Sequence, residues 1–473
     1  MSVKTEEVIN KEAIEDDVSE ETVESASSDS EDKMAQLRAK LKANKEKLDE
    51  NKENKENKEN KENKEEEEEE DVPPKILAKK TRTYNFGVVG SGQAGAKVAE
   101  AMYKLGYDAV VFNTATQDLE HIKIPDDNKC HLDYGPGGAG KDPQVGFEAA
   151  EMHKDLINQT ITEKLSNSDM YVFCTSLGGG SGSGSIEPII DVLSSHEKPI
   201  LVLTILPMTN EDPQTKKNAL DALSKLANEV TNKRIHNLIV VDNAKIEAIF
   251  SDVSQMDFYR VSNEAIVETL DVFNTYSSVP SDVKPLDPHE WLKLLVDGGG
   301  LSLYGCMSVP NYEEDTAIAE AVVENLNGGL LAEGFDLRQT KYVGVLIMAN
   351  KNVWQKIPSA NINHAMHVLH EVVESPDVMK GIYETDMEED VVKVYSFFSG
   401  LALPESRVEE LKAEVKTLLQ KVKEKNVKRN MSLSIDTGTT SATSEVDKLK
   451  EKMSKKNSAV RQFIKNKILD RRR

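Results

Sequence analysis

Between residues 83 and 403 the apolar positions of this 473-residue chain follow two rhythms. Short runs rich in β-branched and aromatic residues read as buried strands. They are Thr83–Gly90 (TYNFGVVG), the AVVFN run ending at Asn113, Met170–Thr175 (MYVFCT), Pro199–Pro207 (PILVLTILP) and the run opening at Asn237 (NLIVVD). Two more, KYVGVLIMANKNVW and VVKVYSFFSGLAL, lie nearer the C-terminus. Elsewhere apolar residues recur at helical spacing. That spacing runs on from Gly92, over Phe147–Glu163, Ser185–Ser195 and Met256–Ser277, through TAIAEAVVENLNGGLL, and around Ile362–Val373. Strands alternating with helices predict an α/β fold with a parallel sheet.

The two ends lack this patterning. Residues 1–30 are rich in Ser and Glu with few aromatics, and read as disordered. Residues 33–50 allow a short charged helix with Leu37, Leu41 and Leu48 partly aligned. From Asn51 to Glu65 the triplet NKE repeats, a period that suits neither a helix face nor a heptad; it reads as a solvated spacer, closed by Pro73 and Pro74. Beyond Pro404, Glu409–Lys428 reads as a charged helix, Met431–Glu445 as a Ser/Thr-rich linker and Val446–Arg473 as a basic segment.

Charge follows the same division. Residues 1–71 hold 26 acidic and 13 basic side chains, residues 405–473 hold 10 and 19, and the whole chain carries a formal charge of −23. An acidic head and body therefore precede a basic tail. Cys130, Cys174 and Cys306 have no metal-site spacing and suit a reducing compartment. The opening MSVKTEEVINKEAIEDD is acidic, unlike a secretory signal. The longest apolar run, Ile200–Leu206, is far too short to span a bilayer. A cytoplasmic protein with no transmembrane segment is expected.

Candidate chemistry concentrates in glycine. SLGGGSGSG (Ser176–Gly184) stands between the MYVFCT strand and a helix. Strand, glycine loop and helix N-terminus together bring backbone N–H groups to a phosphate. A flexible linker is the bland alternative. Gly90, Gly92 and Gly95 form a second loop, GSGQAG, which alone suggests a dinucleotide site. The acid such a site needs about 20 residues on is missing; Asn113, Thr114 and Gln117 stand there instead.

GGGSGSG resembles the tubulin/FtsZ signature GGGTGSG or GGGTGTG, with Ser181 for the threonine. The other loops follow in that family's order, and the resemblance covers roughly residues 83–403. It implies nucleotide contacts from Gly90, Ser91, Gly92 and Gln93, from Asn113 and Thr114, from Gly137, Gly138, Ala139 and Gly140, and from Gly178, Gly179, Gly180, Ser181, Gly182, Ser183 and Gly184, with the glycine loops holding the phosphates. It implies that Glu211 faces the ribose; a helix-start acid favoured by the dipole is the alternative. Asn243 and Asn263 would read guanine and Tyr259 would stack on it, although a lone helical asparagine more often faces solvent. An asparagine amide both donates and accepts, a pairing adenine does not satisfy. Asp287 and Glu290 would be the catalytic acids, in a D-x-x-E pattern that also reads as Asp287 N-cap, Pro288 at N1 and Glu290 at N3. The chain departs from the family pattern at Lys141–Asp142, Thr215 and Pro285, which replace an asparagine, an arginine and an asparagine.

The resemblance implies GTP and Mg²⁺ as cofactors, without a dedicated protein metal site. It further implies a head-to-tail homopolymer in which the acids of one subunit reach the nucleotide of the next. The chain reads as a divergent member, like plasmid- or phage-encoded tubulin-like proteins. DNA segregation, positioning or a division-like task would be its role. Expected divisions are an acidic extension (1–75), a GTP-binding domain (76–250), a central helix (251–280), a smaller α/β domain (281–404) and a charged helix with basic tail (405–473). The tail could engage an adaptor protein, DNA or a membrane surface. Two other classes stay open: a nucleotide-binding scaffold that does not hydrolyse, and an NAD-binding enzyme.

Overall fold

The computed structural model describes residues 81–433, apart from 136, 251–252, 328–330, 332–333 and 375–376. The NKE spacer, the helix expected over 33–50 and the basic segment from Val446 lie outside the described residues. By internal contacts the chain divides into Met1–Ala413 and Glu414–Arg473. The fold below belongs to the first unit; of the second, helical turns to Leu433 are described.

The first half alternates strand and helix. In order come β1 (Phe86–Ser91), α1 (Gly92–Lys104), β2 (Asp108–Asn113), α2 (Thr116–Glu120), β3 (Lys129–His131), α3 (Pro143–Met152) and α4 (Lys154–Lys164). Then follow β4 (Met170–Ser176), α5 (Ser181–Gly184), α6 (Ile186–Ser195), β5 (Ile200–Leu206), α7 (Pro213–Thr231), β6 (Asn237–Asp242) and α8 (Asn243–Ile249). The long helix α9 (Gln255–Tyr276) leads to α10 (Pro288–Leu292), β7 (Leu301–Val309), α11 (Ala317–Asn327), β8 (Tyr342–Ala349), α12 (Lys351–Trp354), α13 (Ser359–Val372), β9 (Asp377–Glu384), β10 (Val392–Leu401) and α14 (Glu405–Leu433).

All ten strands join one sheet in the order β3-β2-β1-β4-β5-β6-β7-β10-β8-β9. Pairing is parallel except where β10 runs antiparallel to β7 and β8. The fold is thus mixed α/β, as the patterning predicts. β5 is buried at every position, and so is β6. Strands covered on both faces have no polar-out positions, so their sequences are continuous apolar runs. The two halves of the sheet meet over a short register, Leu238 opposite Leu301 and Ile239 opposite Ser302.

Three departures from the sequence reading have local causes. The strand expected from Thr83 begins at Phe86, because the preceding residues pair elsewhere: Thr83 N–H donates to the Asn274 carbonyl (2.9 Å), and Tyr84 N–H to Asn274 Oδ1 (3.1 Å). The single helix expected over Phe147–Glu163 is two. His153 breaks it: its backbone leaves the helical region at φ −102° and ψ 19°, while its ring Nδ1 lies 2.9 Å from the Ala149 carbonyl beside the ladder bond from its own N–H. Strands β3, β7 and β9 carry no assignment from sequence. β3 has three residues, and β7 and β9 each carry a glycine where a neighbour crowds in. A Cβ on Gly305 would meet the Asn325 carbonyl at 3.1 Å, and one on Gly381 the Tyr383 ring at 2.5 Å.

Candidate functional site: two half-sites on opposite edges of the sheet

In a parallel sheet the loops after the strands share one edge, and ligands bind there. The loops after β1, β2, β3, β4, β5 and β6 are those the sequence singles out. Glycine lets them touch. Gly92 adopts φ +68°, and a Cβ on it would sit 2.8 Å from the Gly182 nitrogen. Gly180 faces the loop before α3, where a Cβ would meet Ala139 Cβ at 2.7 Å and Asp142 N at 2.9 Å. Hydroxyls tie the same loops together. Thr114 Oγ1 and Ser181 Oγ are 2.6 Å apart, Ser91 Oγ and Ser185 Oγ 2.5 Å, and Thr175 Oγ1 donates to the Gly182 carbonyl at 2.9 Å.

The resulting cradle has open donors. Among the described residues, the backbone N–H groups of Gly178, Gly179, Gly180, Ala139 and Gly140 donate to no protein acceptor. Orphaned N–H groups clustered at a loop-to-helix junction suit an anion. Gly184 lies behind the cradle, packed on the Pro143 carbonyl, while Gly137 and Gln93 are exposed. Asn113 is committed within its own loop: Nδ2 donates to Asp118 (2.9 Å) and Oδ1 accepts from Ala115 N–H (3.2 Å). Ser183 Oγ donates to the Gly179 carbonyl and braces the turn.

The base-reading candidates come from α8, α9 and the loop after β5. Asn263, on α9, is 8% exposed, and its amide pairs with no described protein group. Tyr259, one turn earlier, is half exposed and rests edge-to-face on Phe258, with ring centroids 5.1 Å apart. Burial raises its phenol pKa, with further push from the charges of Glu211 and Glu247. The Glu211 carboxylate accepts no hydrogen bond from the described residues. The helix cap is Asp212 rather than Glu211: Asp212 Oδ1 accepts from Gln214 and Thr215 N–H, each at 2.9 Å. Asn243 opens α8, whose cap Asp242 accepts from Ala244 N–H at 3.1 Å.

Sequence reasoning overlooks three supporting contacts. Asn218 Nδ2, on α7, donates to the carbonyls of Lys141 (3.0 Å) and Gly178 (3.1 Å), joining two phosphate loops. Lys141 Nζ reaches Asp212 Oδ2 at 2.6 Å. Arg407 Nε reaches Asp242 Oδ2 at 2.5 Å, with both side chains buried, and so fixes the turn carrying Asn243. Nothing in the sequence marks a helical asparagine or a distant arginine for these tasks.

Asp287 and Glu290 stand apart from this cluster. They form a reciprocal capping box at the start of α10: Glu290 N–H donates to Asp287 Oδ1 (2.8 Å), and Asp287 N–H to Glu290 Oε2 (3.1 Å). The residues just ahead of β1 hold this turn, since Tyr84 Oη donates to the Pro288 carbonyl at 2.8 Å. Tyr84 precedes β1, whereas the phosphate loop follows it. The two acids therefore sit at the N-terminal edge of the parallel strands, on the order of 20 Å from the cradle at the usual rise per residue. Helix α9 carries both Asn263 and, three turns on, Asn274, which bonds Tyr84. The acid loop is rigidly held. Tyr383 Oη, on β9, accepts from Leu286 N–H and donates to the Tyr276 carbonyl, both at 2.8 Å, and Ile382 N–H donates to the Lys284 carbonyl at 2.8 Å.

Residues 85–251 match the tubulin/FtsZ family GTPase domain, and residues 285–405 match the C-terminal domain of the tubulin-like protein TubZ. The chain belongs to the tubulin/FtsZ family. It is 25% identical to TubZ of Bacillus cereus over 378 residues, covering 73% of this chain and 85% of that protein. It is 24% identical to CetZ of Pyrococcus abyssi (strain GE5 / Orsay) over 322 residues, 66% of this chain and 85% of the relative. Its fold is that of the GTPγS-form protofilament of TubZ from Bacillus thuringiensis serovar israelensis, at a TM-score of 0.66 and 23% identity over 73% of this chain and 95% of that one. Members of the tubulin/FtsZ family are GTPases. Membership answers the dinucleotide alternative: the first glycine loop lies inside the stretch that matches the tubulin/FtsZ family GTPase domain. Among the described residues no helix is long and apolar enough to cross a membrane, and no group of three or more His, Cys, Asp or Glu is arranged for a metal ion.

Proposed function

We propose that this chain binds GTP, assembles head to tail with copies of itself, and hydrolyses the nucleotide where two copies meet. One observation carries the reading: the open N–H cradle and the paired acids lie on opposite edges of one sheet. A subunit cannot bring both to one nucleotide, but a second subunit stacked on the first can. The solved TubZ relatives include protofilaments and a two-stranded filament, which supports the stacking.

Each group then has a physical task. Backbone N–H groups of Gly178–Gly180, Ala139 and Gly140 would hold the phosphates. Asn263 and Asn243 would read the guanine edge, Tyr259 would cover its face, and Glu211 would accept from the ribose hydroxyls. Asp287 and Glu290 of the next subunit would orient the attacking water and accept its proton. Mg²⁺, when bound, would neutralise phosphate charge. It usually keeps several waters and takes few protein ligands, and the Thr114 and Ser181 hydroxyls at the cradle rim suit that sparse ligation. A role in moving or positioning a cargo such as DNA is supported by a solved plasmid-segregation TubZ relative.

A second reading has its own support. Both acids are engaged in the capping box and Pro285 precedes them, which suits a filament that binds GTP without cleaving it. Phosphate release and light scattering, measured together across protein concentrations, separate the two. Release that begins only at the concentration where scattering begins supports the proposal. Scattering without release selects the second reading, and release proportional to protein at all concentrations refutes catalysis between subunits.

A further inference from the structure

One cation at the cradle has no task in the reading above. At position 215, where the family pattern has arginine, the threonine turns inward. It is buried, its Oγ1 donates to Asp212 Oδ2 at 2.9 Å, and its methyl group is what a Cβ on Gly178 would strike at 2.4 Å. No positive charge extends from that position. A lysine stands beside it instead. Lys141 Nζ lies 2.6 Å from Asp212 Oδ2, on the first turn of the same helix, and its side chain is 56% exposed. Its backbone is fixed next to the glycine run, because the Asn218 amide bridges the carbonyls of Lys141 and Gly178. Lys141 also holds φ +62°, a left-handed geometry costly for a residue with a Cβ.

We propose that Lys141 supplies a phosphate-binding cation beside the cradle, its ammonium exchanging the Asp212 carboxylate for the nucleotide phosphates. The proposal rests on the guanine-nucleotide reading of the site. Asp212 can release its partner cheaply, since it keeps the N–H groups of Gln214 and Thr215 and the Thr215 hydroxyl. A polyphosphate carries more charge than one carboxylate and offers several oxygens to the three ammonium protons. A flexible four-carbon stem suits such an exchange better than a rigid guanidinium.

The test uses the full-length protein, below its assembly concentration, with GDP and GTPγS as probes. Lys141→Met should weaken both nucleotides on the order of 10- to 100-fold, the loss expected for one charged hydrogen bond. Lys141→Arg should keep most of the affinity. Asp212→Asn should tighten binding or leave it unchanged, because asparagine still caps the helix while the competing charge is gone. A merely structural ion pair predicts the opposite pattern, with Lys141→Met and Asp212→Asn shifting affinity in the same direction. That result, or an unaffected Lys141→Met, overturns the proposal. Wild-type protein that binds neither probe would instead overturn the guanine-nucleotide reading, so the two failures are distinguishable.

Discussion

Glu290→Gln separates the two roles the capping box assigns to one side chain. Glu290 Oε2 accepts from Asp287 N–H at 3.1 Å, and glutamine keeps an acceptor there, as capping boxes with glutamine do. What is lost is the charge. Its partner within the subunit, Lys284, is 3.9 Å away and half exposed, so the pair contributes at most about 1 kcal/mol. Thermal unfolding should therefore move by less than about 4 °C. Loss of a group that orients or deprotonates water commonly costs about 10²–10⁴ in rate, or roughly 3–5 kcal/mol of barrier. Hydrolysis should fall by that factor while GTP affinity holds and filaments live longer. Steady-state phosphate release, normalised to sedimented protein, measures it. A complementation assay adds the geometry. Gly182→Val should distort the cradle loop, since a Cβ at this position already meets the Ser176 carbonyl at 2.9 Å. Co-assembled one to one, the two inactive variants should regain about a quarter of complete interfaces, each pairing a sound nucleotide with a sound acid. Wild-type release by pelleted Glu290→Gln filaments would refute the choice of residue, and no recovery in mixed filaments would refute its action across the interface.

Other outcomes follow from the same contacts. Asn263→Ala should weaken GTP about 5- to 150-fold, the cost of one buried hydrogen bond, and equal wild-type affinity for ATP and GTP would sink the base assignment. Arg407→Met leaves Asp242 buried without its cation and should cost about 3 kcal/mol or more in a denaturant titration, with GTP affinity falling as the Asn243 turn loosens; adding Asp242→Asn should recover part of both. Arg82→Met, which strips the buried Asp271 carboxylate of its 2.7 Å partner, should cost a similar amount, read by fluorescence of the fully buried Trp291. Deleting residues 446–473 should leave GTP affinity unchanged and alter critical concentration or co-sedimentation with DNA; no change in any of these would make the tail a solvated appendage.

Local signals made the convergence of the glycine loops legible. Glycines at fixed offsets after apolar runs report both a strand end and a close backbone approach, and Gly92 against Gly182 is such a pair. The D-x-x-E pattern was readable as a helix start for the same reason, since a capping box spans four residues. Long-range contacts were not readable. Asn218 looks like any polar helical residue until α7 is packed behind Gly178. Arg407 lies 165 residues from Asp242, and no periodicity connects them. β9 was missed because Lys380 and Gly381 break its pattern, yet it anchors the acid loop through Tyr383.

The separation of cradle and acids across the sheet sets an arithmetic for assembly. In the proposed head-to-tail assembly, a stack of n subunits would enclose n − 1 complete sites, so a monomer would have none and a dimer one. The two ends of the stack are chemically unlike. One terminal subunit presents a nucleotide that no acid reaches, and the other presents acids with nothing to act on. Under the proposed hydrolysis between subunits, growth at the first end would bury a fresh nucleotide with every addition, and so start its clock, while an idle end would keep its last nucleotide intact. The age of each bond in the stack is then recorded in its nucleotide, and the direction of the strands becomes the direction in which the polymer ages.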